Sequence, residues 1–214
     1  MKINLFSETI GTSFLLLIVV GSGIMGENLT ENKAVVLLAN SITTAFGLIV
    51  LIWIFGSYSG AHFNPVVSIL MMLLGRLTKK ETLFYVICQI IGGVAGVVLA
   101  NIIFDLDIIS ISDNKRLTTG VFISEIIATF GLLLTILLVS KQKPEMVAAA
   151  VGLYIGAAYW FTSSTSFSNP AVTIARTLSD TFTGIVPSDV VPFIFAQLIG
   201  TFIVYFIYKY VYEQ

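Results

Sequence analysis

A short phrase occurs twice in an otherwise apolar chain: Gly60-Ala61-His62-Phe63-Asn64-Pro65-Val66-Val67-Ser68, then Ser166-Phe167-Ser168-Asn169-Pro170-Ala171-Val172-Thr173. Each copy sets an Asn-Pro pair before an apolar run too short to span a bilayer. Half of a hydrocarbon core, about 15 Å, needs roughly ten helical residues, and the run from Pro65 to Leu74 supplies about that many. Proline suits the first helical position and the asparagine before it can cap, so both runs are predicted to be half-helices that begin at the buried end of a re-entrant loop. Two such loops build a pore rather than a catalytic cleft.

Composition sets the solvent. Of 214 residues 57% are hydrophobic and 11% charged, with mean hydropathy +0.97, which leaves far too little charged surface for a soluble globule. The chain is predicted to be an integral membrane protein. A net charge of −1 and the absence of a Lys/Arg stripe set nucleic-acid partners aside. Cys88 is the single cysteine and excludes a disulfide framework or thiolate metal site within one chain; it is expected to be a buried, inert thiol. No cofactor or metal is expected, since no His/Cys/carboxylate cluster and no serine with a base is found.

Hydropathy predicts six long spans, at about Leu5 to Met25, Ala34 to Phe55, Thr82 to Phe104, Thr118 to Ser140, Glu145 to Phe161 and Val190 to Tyr210. Lys2, Arg76, Lys79, Lys80, Lys141, Lys143 and Lys209 fall on one side, against Lys33, Lys115 and Arg116 on the other, which predicts that both termini are cytoplasmic in the cell membrane. Three spans separate the two Asn-Pro loops, so the loops enter from opposite faces and the chain reads as an inverted repeat, about 1–105 and 117–214. The repeat has further landmarks. Glu8-Thr9-Ile10-Gly11-Thr12 answers Glu125-Ile126-Ile127-Ala128-Thr129, and Gln89-Ile90-Ile91-Gly92 answers Gln197-Leu198-Ile199-Gly200.

The paired Asn-Pro boxes, the glutamates of spans one and four, and Ser59-Gly60-Ala61-His62 resemble the aquaporin, or major intrinsic protein, family across essentially the whole chain. The resemblance implies an all-α membrane fold of six transmembrane helices and two half-helices meeting at mid-membrane. It also implies one pore per subunit, a homotetramer in the lipid bilayer, and passage of small neutral solutes. Asn64, Pro65 and Val66 with Asn169, Pro170 and Ala171 would form the pore motifs, the asparagine amides offering donors to a passing hydroxyl. By family spacing the selectivity filter falls on Thr44, Ala157, Ser166 and Val172, with valine where an arginine is usual. Four uncharged small or medium side chains imply a wide opening. Phe46, two residues from Thr44, is the alternative if a gap intervenes. Arg176, one turn beyond Val172, either reaches the outer vestibule or snorkels to the interface and pairs with Asp180.

Glu8 and Glu125 are costly inside a membrane, and their symmetric placement predicts that they anchor the re-entrant backbones by accepting N–H bonds. His62 is read as a third loop anchor rather than a pH gate. The leading expectation is a passive channel for water and glycerol-like polyols. The filter wording, with valine in the arginine position, is similar to that of bacterial aquaporins associated with arsenic resistance, which adds arsenite or methylated arsenicals as cargo. The alternatives are a secondary transporter, which inverted repeats with broken helices also build, an intramembrane enzyme, and an occluded structural tetramer.

Overall fold

The computed structural model describes residues 1–212, and all regular structure in them is helical. The last two positions of the second repeat, 213 and 214, lie outside the described residues. Helix boundaries follow local chemistry. α1 (Lys2–Leu29) stops where Thr30 turns extended, and α2 (Lys33–Ser59) starts on Asn32, whose side chain accepts from the Ala34 amide. α2 ends at Gly60 in the left-handed region, φ 83°, where glycine adds no Cβ clash. α3 (Pro65–Leu73) is the first half-helix, nine residues long. α4 (Lys79–Ile103) opens on a reciprocal Thr78–Glu81 capping box.

In the second half α5 (Thr119–Gln142) is capped by Thr118, and a 3-10 turn, Pro144–Met146, leads into α6 (Val147–Phe161). α7 (Pro170–Ala175) is the second half-helix and runs into a 3-10 turn, Arg176–Leu178. α8 (Pro187–Ile207) ends in a π turn, Tyr208–Tyr212. α1, α2, α4, α5, and α8 with its final turn are long and apolar enough to cross a membrane. α6 has 15 residues, roughly 22 Å of helix, and is the short member of the bundle.

α1 packs between α2 and α4, and α5 packs between α6 and α8 in the same manner. α2 against α6 joins the halves, while α3 and α7 each lie against both α4 and α8 and meet one another. Close approach of α1 and α4 depends on glycine: a Cβ at Gly92 would strike the Thr9 carbonyl and one at Gly96 the Ser13 carbonyl. Burial is inverted relative to a soluble protein. Glu8, Gln89, Glu125 and Gln197 are fully buried, whereas Phe46, Trp53 and Val191 are exposed, the arrangement expected where the surrounding medium is hydrocarbon. Cys88 is a free thiol and is half-buried rather than buried.

Candidate functional site

The asparagines sit where the half-helices begin. Asn64 Oδ1 accepts from the Val66 amide at 3.0 Å and its Nδ2 donates to the Ser168 carbonyl at 2.8 Å. Asn169 mirrors it: Oδ1 accepts from Ala171 and Val172, at 3.0 and 3.3 Å, and Nδ2 donates to the Phe63 carbonyl at 2.8 Å. Each side chain caps its own helix and ties itself to the opposite loop. An amide nitrogen carries two protons, so each retains one donor for the cavity that both line. Pro65 and Pro170 occupy the first helical positions, and Val66 and Ala171 are fully buried behind the asparagines.

The loops that deliver these residues are strained in matching places. Ala61 and Phe63 have φ of 49° each, and Ser166 and Ser168 have φ of 51° and 45°, conformations that ordinary side chains rarely adopt. Glutamates hold them there. Glu8 accepts from the His62 amide at 3.0 Å, the Phe63 amide at 2.8 Å and the Ser59 hydroxyl at 2.6 Å. Glu125 accepts from the Phe167 and Ser168 amides, both at 2.9 Å. Gln89 Nε2 links Glu8 (2.7 Å) to Ser68 (2.9 Å), and Gln197 Nε2 links Glu125 (2.8 Å) to Thr173 (3.0 Å). A carboxylate satisfied by that many donors is tolerated where a bare one is not. His62 Nδ1 lies 3.0 Å from the Ser68 hydroxyl, and its ring packs edge-on to Tyr85 at 5.3 Å, while its edge also borders the cavity.

The cavity has a volume of about 290 Å³ and is lined by both asparagines together with residues of either mouth. Thr44, Tyr159, Ser166, Val172 and Arg176 surround one end, and Met71, Arg76 and Ser140 the other. Leu15, Leu48, Ile136 and Val151 make an apolar wall between them. Thr44, not Phe46, faces inward; Phe46 is 62% exposed on the outer surface.

The expectation for α6 needs correction. Ala157 does not reach the cavity: it is exposed, in an outer groove with Phe46, Leu153 and Trp160. α6 instead presents Ile155 and Tyr159, and the Tyr159 hydroxyl lies 3.3 Å from Thr44 Oγ1. Two residues along a helix turn a side chain through roughly 200°, so a count off by two selects the opposite face. The available signal was the hydroxyl, since a tyrosine inside a membrane span needs a polar partner. An aromatic and a cation therefore border the end that the sequence reading made small and uncharged. Arg176 is 3% exposed and does not pair with Asp180, which accepts instead from Ser112 and the Asp113 amide.

Two buried glutamates fixing two re-entrant loops, whose half-helices point their starts into one cavity, define a helical membrane channel. The chain belongs to the major intrinsic protein family, whose model matches residues 2–166. It is 48% identical over 194 residues to aquaglyceroporin AqpS of Rhizobium meliloti (strain 1021), covering 91% of this chain and 83% of that one. It is 32% identical to aquaporin NIP1-2 of Arabidopsis thaliana over 72% of this chain, about half (54%) of that protein's length. Its fold superposes on the aquaglyceroporin of Plasmodium falciparum with a TM-score of 0.74, covering 98% of this chain and 96% of the other at 22% identity. It is a multi-pass membrane protein and a channel of a family that passes small neutral solutes, not an enzyme.

Proposed function

We propose that this chain is a passive channel for water and glycerol-sized polyols, with the uncharged hydroxides of trivalent arsenic or their methylated forms as further cargo. The observation that carries the reading is the asparagine pair: each amide is fixed by its cap and by the opposite loop, leaving one donor in a cavity that is otherwise largely apolar. A hydroxylated solute exchanges hydration for these donors while its carbon face slides along Leu15, Leu48, Ile136 and Val151. Thr44, Tyr159, Ser166 and Val172 form the filter. Val172 leaves room where an arginine would narrow the path, and Tyr159 takes back part of it. A 48% identical relative described as an aquaglyceroporin supports a polyol rather than water alone.

The fold supports an assembly of two repeats, about 1–105 and 117–214, and we read the working unit as a homotetramer in the cell membrane with both termini cytoplasmic. Proteoliposomes of the purified protein should shrink and reswell in a glycerol gradient far faster than empty vesicles, with linear, unsaturated rates. Accumulation against a gradient, or a rate that saturates, would mark a transporter and refute the channel. Arsenite uptake in the same vesicles tests the narrower claim.

A further inference from the structure

Arg176 opens the 3-10 turn that follows α7, with its backbone N–H on the Val172 carbonyl. Helical side chains lean back over the preceding turn, and this one lies on the cavity wall beside Val172, Ser166 and Asn169. Nε donates to the Thr183 carbonyl, and Cζ lies 3.6 Å from the centroid of the Phe167 ring. The two contacts hold the guanidinium plane, and neither partner carries a formal negative charge. The remaining N–H donors of its fork find no protein acceptor among the described residues and open to the cavity.

Arg176 is the lining cation at this end of the cavity, and Arg76 borders the opposite end. α7 has only six residues, and Asn169 already accepts from two of the amides at its start, so little of a helix dipole remains to repel a cation there. A unit positive charge in a narrow cavity with low-dielectric walls repels cations far more strongly. We propose that Arg176, propped on Phe167, is the charge barrier at this end of the pore: it excludes sodium and hydronium while its free donors bind the hydroxyl oxygens of a passing solute. Val172 supplies width and Arg176 supplies charge, so this chain divides between two residues, one turn apart, what a single arginine at position 172 would combine.

The proposal rests on the reading of the cavity as a neutral-solute pore, and the test separates the two. Wild-type protein and the variants Arg176→Leu, Arg176→Gln and Arg176→Lys are reconstituted at equal density, and glycerol flux is measured beside proton and sodium leak. Gln keeps a donor for the Thr183 carbonyl, so it serves if Leu fails to fold. The ratio of cation leak to glycerol flux should rise at least tenfold in Gln and Leu and stay within about twofold of wild type in Lys. Conducting Gln or Leu channels with a wild-type ratio would overturn the proposal, as would a Lys channel that leaks like Leu, because charge would then not be the cause. A wild-type protein that passes no glycerol would overturn the channel reading itself.

Discussion

Glu125 is a buried carboxylate whose neighbours are almost all donors, and that explains both its survival in a membrane and its use. Its two oxygens hold the Phe167 and Ser168 amides, the second of which belongs to a residue in the left-handed region. Glu125→Gln keeps one acceptor and should retain partial flux, whereas Glu125→Leu strands both amides at roughly 1 to 3 kcal/mol each. Thermal unfolding in detergent, read beside glycerol flux, checks this; a Leu variant with wild-type melting and flux would remove Glu125 from its anchoring role. The filter gives a second test. Tyr159→Ala should raise glycerol flux relative to water, while Ala157→Val, in the outer groove, should leave that ratio as it was. Val172→Arg should lower glycerol and arsenite flux more than water flux, because a long side chain narrows an end that Tyr159 already borders. Well-folded Val172→Arg channels with parental glycerol flux would show that position 172 does not set the pore size.

At the scale of elements, the two half-helices owe their position less to their own nine and six residues than to what grips them. Isolated helices so short are not stable. α3 and α7 persist because asparagine caps start them, glutamates fix the loops before them, and α4 and α8 clamp both. That clamp needs α4 to sit tightly on α1, and the contact is backbone against backbone at Gly92 and Gly96. Gly96→Val should force α1 and α4 apart and cost more than the 1 to 3 kcal/mol typical of overpacking, since the obstacle is a carbonyl and not a flexible side chain. The expected readout is loss of the monodisperse species on size exclusion together with loss of flux; a stable, conducting Gly96→Val protein would show that this approach is not required.

For the whole molecule, two halves of like construction meet along α2 and α6, and the half-helices from each close the cavity between them. Orientation rests on the Lys and Arg distribution. Lys141 donates to the Tyr212 carbonyl, which places the α5–α6 connection and the π turn after α8 together at one end. Arg116 donates to the carbonyls of Phe182 and Gly184 and belongs to the loop packed over the segment after α7. In intact cells a cysteine at Lys115 should react with an impermeant thiol reagent and one at Lys141 only after permeabilisation; the reverse pattern would invert the topology.

The half-helices and the paired glutamates were legible in the sequence because local chemistry marks them, whereas Gln89 and Gln197 showed there only as landmarks of the repeat and their links to Glu8 and Glu125 came from the structure. Asn is a good cap and Pro suits the first helical position, and a carboxylate repeated at matching places in two apolar spans is costly there without donors to meet it. Thr44, Ser166 and Val172 line the cavity at the places the spacing gives, but what α6 contributes was not legible. Whether α6 turns Ala157 or Tyr159 inward depends on the rotation set by the 3-10 turn at Pro144–Met146 and by packing on α2 and α5, none of which a count of residues contains. Arg176 was ambiguous for a similar reason: spacing puts it one turn past Val172, but only the Phe167 ring and the Thr183 carbonyl, brought together by tertiary folding, turn the guanidinium back into the cavity rather than out to the interface. Sequence thus determined which segments could form a pore, and packing decided which side chains face it, because a helix carries its hydrophobic pattern in its residues but takes its rotation from its neighbours.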